Sequence, residues 1–263
     1  MNDLVKTEEF AVTSVRTEID TQIATAKNYP RSVTKSLKEA SELATQNQDT
    51  AESCIYCIMK GGQPLKGPSV RLAEIMASSW GNLHVASRIV SNDGSFITAE
   101  AVAWDLEKNV KIASEVKRSI LTRAGKTYSI DMQTVTGNAA MSLALRNAIF
   151  KVIPKTFVDI VYNSASKAAV GDLNSLADRR IKAISFFEKA GIPRDRILKS
   201  LKKSSVEDIG VDDLETMLGI HSAIKDGTLQ VENAFSTLED NSGHLDDLND
   251  KLIIEDAQDV EAD

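Results

Sequence analysis

Two cysteines, Cys54 and Cys57, stand in a Cys-x-x-Cys arrangement, the spacing of a redox pair or of half a zinc site. Redox use needs a thioredoxin-like βαβ setting, and zinc needs two more ligands. The three histidines, His84, His221 and His244, are scattered and supply neither. The plainer reading is two small apolar residues on one helix face. A glycine-bounded run, Gly62-Gln63-Pro64-Leu65-Lys66-Gly67-Pro68-Ser69, has the look of a phosphate-binding loop. That loop needs Lys and then Ser/Thr after its second glycine, so that the ammonium reaches the outer phosphates and the hydroxyl binds magnesium. Pro68 stands where the lysine should be, which argues against a nucleotide-driven motor.

Glu115-Val116-Lys117 on one predicted strand, with Asp105 ending the strand before it, has the carboxylate-and-lysine pattern of a metal-dependent nuclease. Period two puts Glu115 and Lys117 on one face, where a metal-held water would be activated. The alternative for the same residues is a solvated strand face with a cross-strand ion pair.

The basic residues carry the larger signal. The net charge is −7, but residues 60–155 hold 13 Lys/Arg against 7 Asp/Glu, whereas residues 227–263 hold 11 acids against Lys251 alone. A basic middle and an acidic tail are two surfaces for different partners. Lys60, Lys66 and Arg71 lie before or in the first helix of the basic stretch. Lys117 and Arg118 close a strand, Arg123 and Lys126 follow in a turn, and Arg146, Lys151 and Lys155 lie along a long helix or just past its end. If that helix packs on the strands, these cations border one groove suited to sequence-independent phosphate binding. Aromatic residues make up 5% of the chain, so base stacking is not the expected main grip. The helix also bears a stripe at spacings of three and four, Gln133, Gly137, Ala140, Ala144, Asn147 and Lys151. It fits either close approach of DNA or a second subunit, or tight helix-on-sheet packing.

The elements that must position these residues follow from periodicity. Helices are predicted over Val15–Lys27, from Ser36 through Ala51, and onward in an apolar run that ends at Met59. Gly61–Pro68 reads as a loop, and Ser69 caps a helix over Val70–Trp80. Alternation then predicts three strands, with turns at Ser91–Ser95 and Glu107–Asn109, forming an antiparallel meander. Met132–Ile153 is the longest helical pattern and stops at Pro154. Three short helices follow, over Ala177–Ala190, Arg194–Lys203 and Asp212–Lys225. The expected fold class is α+β: an antiparallel β-meander packed on a long helix, with N-terminal helices and a small C-terminal helical module. The expected division is a core over 1–171, a helical partner-binding domain over 172–240 and an acidic, disordered tail over 241–263. Met1–Phe10 lacks the apolar core of a secretory signal, and no stretch approaches the roughly 20 apolar residues of a membrane helix. The expectation is a cytoplasmic protein without a membrane partner.

Several segments together resemble the phage and prophage recombinases of the RecT/Redβ/Erf-type single-strand annealing group. They are Gly67-Pro68-Ser69-Val70-Arg71-Leu72-Ala73-Glu74, Ser79-Trp80-Gly81-Asn82, Val135-Thr136-Gly137-Asn138-Ala139-Ala140 and Ala144-Leu145-Arg146-Asn147-Ala148-Ile149-Phe150-Lys151. Asp208-Ile209 and Asp212-Asp213-Leu214-Glu215 extend the likeness into the C-terminal module, so that it runs from about Tyr29 to Phe235. The resemblance implies a β-β-β-α annealing core, rings or helical filaments, and DNA held along a positively charged groove in a bacterial host cell. It further implies ATP-independent single-stranded DNA binding and annealing in recombination, with no cofactor. A host single-strand binding protein or a phage exonuclease would be recruited through the C-terminal module. A passive single-strand binding role in replication is the alternative.

Overall fold

The computed structural model describes residues 16–122, 124–171 and 176–235. Arg123 and the acidic tail expected over 241–263 lie outside the described residues. The chain is α+β, with one two-stranded and one three-stranded antiparallel sheet among the described residues. No helix among them is long and apolar enough to cross a membrane.

Helix α1 covers residues 16–28, and α2 spans Val33–Ala44, opened by Ser32, whose Oγ accepts from the Lys35 N–H. Ser36, Ala40 and Ala44 form its buried face at spacings of four. Asn47 caps the short α3, Gln48–Ser53, by accepting from the Thr50 N–H at 2.8 Å.

The predicted helix does not continue to Met59. Ile55–Lys60 is strand β1 and Gln63–Pro68 is strand β2, the region expected to be a loop. Ile55, Cys57 and Met59 are buried while Tyr56, Ile58 and Lys60 are half-buried, a period of two. Gly61 and Gly62 join the strands as a two-residue turn with φ of 55° and 74°. Such a turn needs φ above zero at both positions, and paired glycines supply it without steric cost. Pro64 and Pro68 are tolerated because β2 is an edge strand. Cys54 therefore caps α3 and Cys57 sits on a strand, so they do not share a helix face.

Ser69 opens α4, Val70–Trp80; its buried hydroxyl accepts from the Arg71 and Leu72 N–H groups and donates to the Ser53 carbonyl. The meander follows as β3 (Leu83–Asn92), β4 (Phe96–Asp105) and β5 (Val110–Ser119), in the order β3-β4-β5. Its inner face is built from small residues. Ala99, Ala101, Ala103 and Val116 pack with Ala140, Ala144 and Ala148 of α5, Ile130–Val152. Alanine against alanine brings helix and sheet close together, which resolves the small-residue stripe as packing; a Cβ on Gly137 would lie 3.5 Å from Ile89. Pro154 ends α5, and α6 runs over Lys155–Val170.

Helices α7 (Leu176–Lys189), α8 (Arg194–Leu201) and α9 (Val211–Lys225) complete the described chain. Their hydrophobic cluster, with Phe187, Ile197, Met217 and Phe235, also takes in Cys57 and Met59 of β1. The hairpin thus carries α9 on one face, through Cys57 and Met59. Its other face, with Tyr56, turns toward α5.

Candidate nucleic-acid interface

Of the ten basic residues singled out in the sequence, the nine among the described residues do not share one surface. Three are held along α9. Lys66 Nζ donates to the Asp212 carbonyl at 2.9 Å and to Glu215 Oε2 at 2.8 Å. Arg71 pairs with Glu74 at 2.8 Å within α4 and reaches Asp226 Oδ1 at 3.5 Å. Arg118 donates to the Thr228 carbonyl at 2.6 Å. Glu215 also accepts from Ser166 Oγ and from Tyr162 OH. Burial works to raise the pKa of Glu215, but the hydrogen bonds from Lys66 and Ser166 and the lysine charge outweigh it and hold the carboxyl below its usual range. Burial raises Asp226 despite the nearby Arg71 guanidinium.

Two more cations lie inside the fold. Arg146 is only 6% exposed, with its guanidinium 4.6 Å from the centroid of the Tyr56 ring. Its hydrogen bonds go to Asn147 Oδ1 at 3.4 Å, and no carboxylate among the described residues pairs with it. A buried guanidinium without a counter-ion depends on the ring face for much of its stabilisation. Lys60, on the same face of β1 as Tyr56 by strand period, has its ammonium buried.

Four others, Lys117, Lys126, Lys151 and Lys155, point outward, at two ends of the molecule. Lys117 is exposed on the outer face of the meander, 4.2 Å over the Phe96 ring. Arg118, the next residue, points to the opposite face because strand side chains alternate. The expected shared groove for Lys117 and Arg118 is therefore split by the sheet itself. Lys126 is exposed near the β3–β4 turn, where Thr127 Oγ1 donates to the Gly94 carbonyl. Lys151 is exposed near the far end of α5, and Lys155 pairs with Asp159 at 2.8 Å. With 23 residues, α5 separates these two ends by about 34 Å.

The residues of the nuclease pattern are also apart. Asp105 is on the inner face, where Arg31 holds both its oxygens at 2.6 Å. Glu115 shares the outer face with Lys117 and lies opposite Glu100, which pairs with Arg88 at 3.1 Å, so the two carboxylates of the pattern are on opposite faces of the sheet. No group of three or more His, Cys, Asp or Glu among the described residues is placed to hold a metal ion. Burial pushes the Cys54 and Cys57 thiols up to about 12, far from a reactive thiolate.

No family model, characterised protein or solved structure matches the chain. The recombinase resemblance rests on its motif segments alone. Tyr56 pairs across the hairpin with Gly67, the first residue of one motif, and its ring stacks on Arg146 of another. Sequence reading missed Tyr56 because it took β1 for helix. The paired glycines Gly61-Gly62 between two apolar runs were the available cue. It also missed Glu215 and Asp226 as acceptors, since nothing local to Lys66 or Arg71 points to them.

Proposed function

We propose that this chain binds single-stranded DNA along its sugar-phosphate backbone and promotes pairing of complementary strands without nucleotide hydrolysis. The observation that carries the reading is the stacking of Arg146 on Tyr56, which joins the Gly67–Glu74 and Ala144–Lys151 segments in one packed unit. Segments distant in sequence, each resembling the annealing recombinases, thereby pack together around the hairpin, with Arg146 and Lys60 on its α5 side and Lys66 on its α9 side.

Phosphate neutralisation by a handful of lysines and arginines gives weak, sequence-independent binding. About four contacts per protomer imply a slope of about −3 in log K against log salt. Assembly of copies along a strand multiplies those contacts, and Watson–Crick pairing supplies the sequence test. The protein itself then needs neither a base-reading surface nor ATP. Ring or filament formation, and recruitment of a host single-strand binding protein or a phage exonuclease through the C-terminal helices, belong to the same proposal.

The test is an annealing assay with complementary labelled oligonucleotides and no nucleotide, paired with electron microscopy of the protein with and without DNA. Faster pairing than in protein-free controls is expected. Strand protection without acceleration would assign a passive binding role instead.

A further inference from the structure

Three cations from three different elements of the core are occupied by one short stretch of the C-terminal region. Lys66 of β2 is held by the Asp212 carbonyl and Glu215; Arg71 of α4, paired with Glu74 at 2.8 Å, also reaches Asp226 at 3.5 Å; and Arg118 of β5 is held by the Thr228 carbonyl. The acceptors run from the first turn of α9 to just past its end, so a row of cations follows a helix about 22 Å long. Carboxylate and carbonyl oxygens present to these donors the same chemistry as phosphate oxygens. The contacts are open to exchange: the Arg71 side chain is 49% exposed and that of Lys66 24%. Helix α9 itself stays fixed by packing that involves none of these charges, with Gly219 pressed on Cys57 and Met217 and Ile220 in the core.

Resting on the proposed DNA binding, we infer that α9 is an intramolecular competitor of the DNA strand, and that Glu215 and Asp226 hold Lys66 and Arg71 until phosphates replace them. The helix remains docked while its carboxylates and the strand exchange the same two cations. The site thus carries a built-in threshold. One short strand gains little over the internal acceptors, whereas a long strand bound by several protomers displaces them together.

The experiment compares the full chain with a Glu215→Gln/Asp226→Asn variant, titrating a fluorescent oligo-dT at several salt concentrations. Glutamine and asparagine keep the shape and hydrogen-bonding capacity of both sites, and circular dichroism checks the fold. The expected result is about tenfold tighter binding near 0.1 M salt. The salt slope should steepen by about 1.4, the contribution of two added phosphate contacts to a single strand. The gain should vanish in a Lys66→Gln/Arg71→Gln background. Unchanged or weaker binding, or a gain that persists without the two cations, overturns the competition while leaving DNA binding itself in place. No retention of the oligonucleotide by the unaltered chain, even at low salt, would overturn both. Should the double variant misfold, Asp226→Asn alone, expected to bind about threefold tighter, decides the matter by the same criteria.

Discussion

Gly219 of α9 lies so close to Cys57 of β1 that a Cβ on the glycine would stand 2.5 Å from Cys57 Cβ and 2.7 Å from its backbone nitrogen. Helix backbone rests directly on strand backbone there, and this contact joins the C-terminal helices to the hairpin that carries Lys60 and Lys66. Alanine would favour the helix at position 219 by roughly 1 kcal/mol on propensity alone. Overpacking opposes it, typically costing about 1–3 kcal/mol, and a contact with backbone cannot be relieved by a rotamer change. Gly219→Ala is expected to lose about 2 kcal/mol of stability in urea titration. A variant more stable than the parent would refute the close approach.

Arg31 links the start of the helical region to the end of β4. Its guanidinium bonds Asp105 and Glu107, and packs 4.9 Å from the centroid of the Trp80 ring, with side-chain exposure of 6%. Removing one partner of a buried pair strands the other, so Arg31→Ala is expected to cost about 3–5 kcal/mol. Burial tends to raise Glu107, but bonds from Asn82 and Arg31 more than offset this and lower its pKa below 4.5. A depressed carboxyl contributes stability that is full above its unfolded pKa and is lost as pH falls through the folded value. Acid titration of the parent should therefore show a loss beginning below about pH 4.5, and the Arg31→Ala variant should show a shallower one.

Arg146 is an unsuitable probe of DNA contact by simple truncation, since it is buried against Tyr56. Arg146→Ala is expected to lower stability by about 2 kcal/mol, the size of a desolvated cation–π contact. Arg146→Lys keeps the charge but loses the planar stack, and should fall between the two in thermal unfolding. Equal stability of all three proteins would remove the stacking from the account.

Lys126 and Lys151 are exposed, and no partner holds either side chain among the described residues. Replacing either with Ala should leave stability within about 0.5 kcal/mol. If a strand follows the whole length of α5, each replacement lowers the steepness of the salt dependence by about 0.7. An unchanged slope in both variants would restrict DNA to the region around the hairpin and α9.

The cysteine pair yields a chemical prediction. With both thiols buried and raised to about 12, thiolate is scarce at pH 8. Alkylation of the folded chain by iodoacetamide should be negligible over hours and become rapid in denaturant. Fast modification of native protein would mean that the α3–β1 junction opens readily.

Much of the architecture was legible in the residues themselves. The meander, the cap at Ser69 and the stop at Pro154 all depend on side chains within a few positions of one another. Local sterics and hydrogen bonding therefore write them into the chain directly. The β1–β2 hairpin was equally local, in its Gly61-Gly62 turn, but an Ala- and Glu-rich segment upstream lent the apolar run a helical appearance.

What each cation touches was decided only by the tertiary structure. Lys66 meets Glu215 across 149 positions and Arg71 meets Asp226 across 155. Lys117 and Arg118, adjacent in the chain, are divided by the sheet. The composition of residues 60–155 announced a cationic region, because charge is a property of the residues alone. Whether those charges line a groove, neutralise a neighbouring helix or stack on a ring depends on which distant segments the hydrophobic core draws together, and that information is spread over the whole chain.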